Sequence, residues 1–203
     1  MILILATHNP HKRDELREIL RSELGDVEIL TLEDIPVGEI EETGTTLEEN
    51  ALLKAREVYA ACFQPTVADD TGLEVEALGG APGVYSARYA GENATYADNV
   101  NKLLAELPPG NGAAMRHAKF ATVVAYIDKR GEEHLFRGEV EGIITEAPRG
   151  AVGFGYDPIF QPIEDMQGRT FAEMSAEEKH AISHRGRALR LLGEYLRNPT
   201  SAG

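Results

Sequence analysis

The sequence contains one cysteine, Cys62, and no tryptophan, and aromatic residues fill only 6% of its 203 positions. A single cysteine cannot close an internal disulfide, and no Cys/His cluster with zinc-ligand spacing accompanies it. Long hydrophobic runs are missing as well, so no segment reads as a membrane span. The apolar stretch Met1–Ala6 is too short for a signal-peptide core and has no positive segment before it. A reducing cytoplasm is the expected setting. Basic residues are the minority: 20 Lys and Arg against 34 Asp and Glu give a formal net charge of −14. Such a field opposes nucleic acid, whose binding draws on Lys and Arg contacts to phosphates. A small polyanion is compatible with it only where a local cation cluster or bound metal overcomes the global repulsion.

What remains is the composition of an ordinary globule, 42% hydrophobic and 27% charged. The length suits a single domain spanning 1–203, with no repeat, low-complexity tract or long linker. Met1–Ala6 is continuously apolar and reads as a buried strand. Asn9 followed by Pro10 predicts a capped helix running to about Leu24, with a short strand at Val27–Leu30. Thr45 with Glu48, and Thr46 with Glu49, have capping-box spacing and predict a helix over 45–62. A short strand Thr66–Asp69 is expected to end in an acidic turn, Asp69-Asp70-Thr71-Gly72. Residues 79–91 read as a glycine-rich loop, 95–107 as a helix, and His117–Asp128 with His134–Ile144 as two long strands joined by a turn. A loop at 149–158, a short helix from Ser175 and a last helix over 184–197 complete the chain. Helices on either side of adjacent long strands predict a mixed α/β sheet.

Several places in this frame can carry chemistry. Thr7, Asn9 and Lys12 lie where a strand end meets a helix N-terminus, a setting that favours phosphate. The plainer reading is a cap and a solvated lysine. Asp69 and Asp70 are adjacent carboxylates, which repel when both are ionised unless a cation or donors offset them. In a strand they point to opposite faces, leaving one free for structure and one for a site. Mg²⁺ takes one or two carboxylates and completes its octahedron with water and phosphates; the pair Glu41-Glu42 offers a further ligand. Asp70-Thr71-Gly72 also matches the aspartic-peptidase triplet, although that chemistry needs two such aspartates and an all-β fold. Lys54, one helical turn beyond Asn50, can reach a phosphate or pair with Glu57 on the surface. In Gly153-Phe154-Gly155-Tyr156-Asp157-Pro158 an aromatic ring can stack on a base or pack in the core. Lys179, His180, His184, Arg185 and Arg187 form a basic cluster. Ser183 is placed to cap the last helix, so His184 and Arg185 fall in a first turn whose dipole they oppose. Pairing with Glu177 and Glu178 is the simpler account of these cations. Dinucleotide-binding and Walker-type glycine motifs are absent.

Taken in order, T-x-N-x-x-K at 7–12, E-E-T-G-x-T at 41–46, E-N-A-x-x-K-A at 49–55, A-D-D-T-G-L at 68–73, G-G-A-P-G-x-Y-S-A-R-Y at 79–89, G-F-G-Y-D-P-I-F at 153–160 and S-H-R-G at 183–186 resemble the inosine/xanthosine triphosphate pyrophosphatase family. The resemblance covers about residues 2–197. It implies a homodimeric, Mg²⁺-dependent enzyme that hydrolyses ITP, dITP and XTP to the monophosphate and pyrophosphate, with no nucleic-acid or membrane partner. It also implies an elongated mixed β-sheet flanked by helices, as two lobes around a central cleft. Carried over by position, Thr7, His8, Asn9 and Lys12 would hold the triphosphate with Lys54. Glu41 and Asp70 would bind Mg²⁺, with Asp70 also accepting the proton of the attacking water, and Thr71 would touch substrate. Phe154, Gly155, Tyr156 and Asp157 would line the purine, and Lys179, His184 and Arg185 would recognise the base and its 6-oxo oxygen.

Overall fold

The computed structural model describes residues 1–198 apart from Pro36, Pro108 and Asn111. In chain order the elements are β1 (Ile2–Leu5), α1 (Pro10–Leu24), β2 (Glu28–Thr31), α2 (Leu47–Cys62), β3 (Thr66–Val75), β4 (Pro82–Gly83), α3 (Tyr96–Glu106), β5 (His117–Ile127), β6 (Glu133–Ile144), β7 (Phe160–Pro162), α4 (Ala176–Ile182) and α5 (His184–Arg197). The strands form one sheet in the order β2-β1-β3-β5-β6-β7, with β4 on β3. β1 runs parallel to both β2 and β3, whereas β4 and β7 pair antiparallel with β3 and β6. The mixed α/β sheet expected from the sequence is therefore the fold. Among the described residues no helix is long and apolar enough to cross a membrane.

Local chemistry explains the boundaries. Asn9 adopts an extended backbone, its side chain accepts from the His11 and Lys12 amides, and Pro10 opens α1; Gly25, at φ 71°, closes it. Leu16, Ile19 and Leu20 supply its buried face. α2 is capped by Thr46, which accepts from the Glu49 amide, while the Glu49 carboxylate reaches back to the Thr45 amide. The helix thus starts two residues later than 45, as Thr45 and Thr46 serve the cap. α3 carries a full capping box between Thr95 and Asp98. Asp128 accepts from the Arg130 and Glu132 amides and fixes the tight turn between β5 and β6, the kind of connection only an antiparallel pair permits.

Two compact units make up the chain. The first comprises residues 1–70, 122–138 and the segment from Arg185 onward; its core includes Leu3, Leu5, Leu16, Leu20, Val67, Val124, Leu189 and Leu192. The second comprises residues 71–121 and 139–184 and has a core of its own around Leu73, Leu103, Phe120, Ile144, Phe160 and Phe171. Phe160 packs on Phe120 and Phe171 at ring separations of 4.6 and 5.2 Å. It also occupies the space beside Gly142, where an added Cβ would lie 2.3 Å from its Cζ. Gly142→Ala is expected to cost about 1–3 kcal/mol through forced repacking. The check is a lowered urea midpoint at unchanged slope, and an unchanged midpoint would refute the packing account.

The structure corrects one sequence expectation of consequence. Asp69-Asp70-Thr71-Gly72 is not a turn: it lies inside β3, which extends to Val75. Residues that favour turns are held extended here because the strand is paired and its carboxylates are satisfied from elsewhere. Ser183, with extended backbone, separates α4 from α5, so His184 and Arg185 do fall in the first turn of α5.

Candidate active site

In the first unit, β3 presents two buried carboxylates to two different sets of partners. Asp69 Oδ2 accepts from Arg185 Nε and Nη2 at 3.2 and 3.1 Å, and Lys12 Nζ stands 3.6 Å away. Arg185 also donates to Glu15 Oε2 of α1 at 2.5 Å. Asp70 Oδ2 instead accepts from the Asn50 side-chain amide at 3.2 Å, and its Oδ1 lies 3.5 Å from Lys54 Nζ. Lys54 donates to Glu42 Oε1 at 2.7 Å. The alternation of side chains along an extended strand produces this division.

The electrostatic consequence is a split pair. Burial opposes ionisation of Asp69, yet Lys12, Arg185 and Lys54 outweigh it and hold the carboxyl well below the usual carboxylate range. Burial pushes Asp70 the other way, above its ordinary value; Lys54 and Lys12 resist, while Glu42 and Asp69 add to the rise. Lys54 and Arg185 are both raised against the pull of burial, Lys54 chiefly by Asp70 and Glu42, Arg185 by Asp69 and Glu15. Burial and neighbouring charge thus push two adjacent aspartates in opposite directions, Asp69 toward the anion and Asp70 toward the protonated form.

The remaining predicted residues of this unit lie at the start of α1 and before α2. The Asn9 amide donates to Thr7 Oγ1 at 3.2 Å, and Asn9 Oδ1 engages the first helical amides. His8 is exposed, with its Nε2 3.1 Å from the Gly38 carbonyl. Of the acidic pair, Glu42 reaches the Lys54–Asp70 cluster whereas Glu41 is exposed. Lys54 is buried and pairs with Glu42, not with Glu57. Asn50, fully buried, is given no role by the sequence, yet it bonds both Asp70 and the Gly44 amide. Its signal is a polar residue on the apolar stripe of α2, one turn before Lys54.

The donors around Asp70 and Glu42 fit a hard divalent cation. They are carboxylate oxygens, the ligand class Mg²⁺ prefers, and they already flank a cation in Lys54. The Asp-Thr-Gly triplet has an ammonium as its neighbour here, and no observation favours the peptidase reading.

In the second unit, Lys179 of α4 donates to Asp157 Oδ2 at 2.7 Å, both groups being buried. The same oxygen accepts from the Phe154 amide at 2.9 Å. Gly153, at φ 80°, makes that approach possible: a Cβ there would sit 2.2 Å from Asp157 Oδ2. Lys179 Nζ lies over the Phe154 and Phe171 rings, 5.1 and 5.8 Å from their centroids. His184 stacks on Phe120 at 4.4 Å and 11°. Tyr156 is core, its hydroxyl donating to the Ser86 carbonyl at 2.9 Å, whereas Phe154 is half-buried. Of the two candidate stacking faces, Phe154 is the less buried, and it also packs against Tyr96 at a ring separation of 5.8 Å. Within the basic cluster Lys179 is held by Asp157, while Glu178 is engaged by Arg169.

A family model for the Ham1 family matches residues 3–195. The chain belongs to the Ham1 family. It is 50% identical over 197 residues to a dITP/XTP pyrophosphatase from Thermoanaerobacter sp. (strain X514), covering 97% of this chain and 96% of that one. A dITP/XTP pyrophosphatase from Porphyromonas gingivalis is 51% identical, with 96% of each chain covered. Among solved structures, the Staphylococcus aureus Ham1 protein is similar at a TM-score of 0.84 with 38% identity, covering 98% of this chain and 100% of that one. The Coxiella burnetii HAM1 protein gives the same TM-score at 40% identity, with 97% and 98% covered. The family resemblance read from the motifs is thereby borne out, and so is the mixed β-sheet flanked by helices.

Proposed function

We propose that this chain is a nucleoside triphosphate pyrophosphatase that hydrolyses the non-standard purine nucleotides ITP, dITP and XTP to the monophosphate and pyrophosphate. The observation that carries the reading is the split aspartate pair beside Lys12 and Lys54: one carboxylate tied up as an anion, its neighbour poised as a base. Relatives named dITP/XTP pyrophosphatase at about half identity support the substrate class.

In this reading Thr7, His8, Asn9, Lys12 and Lys54 hold the triphosphate. Asp70 accepts a proton from the attacking water, the phosphoanhydride bond beside the α-phosphate breaks, and pyrophosphate leaves. Phosphoryl transfer asks the protein for positioning and charge neutralisation above covalent chemistry. Asp70 with Glu41 or Glu42 would hold Mg²⁺, which would supply charge neutralisation and polarisation of the phosphate. Thr71 contacts the substrate. Phe154 stacks on the purine, with Gly155, Tyr156 and Asp157 around it. Lys179, His184 and Arg185 meet the base and its 6-oxo oxygen, and the plane of Arg185 is set by Asp69 and Glu15. Donors aimed at an oxo group are left facing the amino group of adenine, which is how the site discriminates. A cytoplasmic homodimer cleansing the nucleotide pool completes the proposal.

The test is a panel of ITP, dITP, XTP, ATP and GTP with Mg²⁺ and with EDTA, reading pyrophosphate. Release from the first three should exceed that from ATP by at least about a hundredfold and should stop in EDTA. Equal rates on all five would refute the base selectivity. Binding without pyrophosphate would make the chain a nucleotide-binding regulator.

A further inference from the structure

Helix α2 places two polar side chains one turn apart on Asp70. Asn50 takes Oδ2, and Lys54 faces Oδ1. Asn50 also accepts the Gly44 amide at 2.8 Å through its other polar atom. That contact is close enough that a Cβ on Gly44 would lie 2.6 Å from Asn50 Oδ1. The segment bearing Glu41 and Glu42 is therefore pinned to the helix from which Lys54 projects. Asp70 and Glu42 are presented to one ammonium, at 3.5 and 2.7 Å.

We infer that Lys54 is the resident counter-ion of the Glu42–Asp70 pair and that a divalent cation enters only as Lys54 leaves, so that metal binding waits for the triphosphate. The inference rests on the reading that metal and triphosphate meet at Asp70. Mg²⁺ binds carboxylate oxygen at about 2.0–2.1 Å, which puts it where the ammonium already neutralises the same oxygens. Two cations a few ångströms apart in a poorly hydrated site repel strongly. A buried ammonium cannot simply give up its acceptors, because its three N–H groups would then lack partners. Phosphate oxygens arriving with the metal provide the replacement. The metal alone binds weakly, the nucleotide restores a partner to Lys54, and the two favour each other by the same factor.

The probe is Mn²⁺ with nucleotide-free protein, free ion being counted by electron paramagnetic resonance. Sites elsewhere on this acidic chain are subtracted with Asp70→Asn. Lys54→Gln should bind Mn²⁺ at least about tenfold more tightly than the unmodified protein. Lys54→Met, which keeps an apolar stem in the same space, should do the same and serves if the glutamine variant does not fold. A second measurement needs no variant: saturating Mn²⁺ should raise the rate at which acetic anhydride labels Lys54, read by mass spectrometry. Unchanged or weaker Mn²⁺ affinity in the Lys54 variants, or labelling that Mn²⁺ leaves unaltered, would overturn the inference. Failure of the functional reading shows separately, as no pyrophosphate from ITP and Mg²⁺ in the unmodified protein.

Discussion

Asp70→Asn should reduce kcat for pyrophosphate release from ITP by at least about a thousandfold while the protein stays folded. General-base catalysis alone contributes about 10²–10⁴, and the same change removes a metal ligand. The amide is nearly isosteric, and its oxygen can still accept from Asn50, which now bonds Asp70 at 3.2 Å. The charge it removes is one that burial disfavours. Because the folded protein raises the Asp70 pKa, the stability this group contributes is present below the unfolded carboxylate pKa and lost as pH rises through the folded value. At neutral pH ionised Asp70 is therefore a net cost, and the asparagine variant should not melt earlier. Activity of the unmodified enzyme should climb with pH as Asp70 deprotonates. A variant that keeps more than about a tenth of kcat would remove Asp70 as the base.

Much of the frame behind this site is written locally. Asn9-Pro10 with Gly25 delimits α1, and Thr95 with Asp98 opens α3, because caps are satisfied by residues two to four positions away. The seven motif segments also point to the family on their own. What the sequence hides depends on distant partners. Asp69 lacks a secure role until Arg185, 116 residues later, is seen to hold it. The stretch Asp69–Gly72 reads as a turn because its residue types favour turns, and only the paired, charge-compensated strand overrides that preference. Lys54 looks like a surface partner of Glu57 until burial turns it toward Glu42. Neighbouring carboxylates such as Glu41 and Glu42 cannot be separated by composition, since their difference lies entirely in which way the backbone aims them. The same holds for Phe154 and Tyr156, where one ring is half-buried and the other closes the core.

Arg185→Met should destabilise the protein by about 3–5 kcal/mol, the range for removing one partner of a buried ion pair. Arg185 is only 2% exposed and bonds two carboxylates, Asp69 and Glu15. Without it, Asp69 remains charged and inside, with Lys12 at 3.6 Å. The penalty comes mostly from that stranded anion, so Arg185→Met combined with Asp69→Asn should recover a substantial part of the loss. The two changes should be non-additive in urea unfolding by at least about 1 kcal/mol. Acid provides an independent reading of the same pair. Asp69 is held below its ordinary pKa, so its contribution is present above the unfolded value and fades as pH falls through the folded one. Stability of the unmodified protein should thus decline below about pH 4, and Asp69→Asn should decline less steeply over that window. A single Arg185→Met cost under about 1 kcal/mol, or strict additivity with Asp69→Asn, would mean that Arg185 does not sustain the buried charge. Asp69 would then have no claim to be the fixed anion against which Asp70 is set apart as the base.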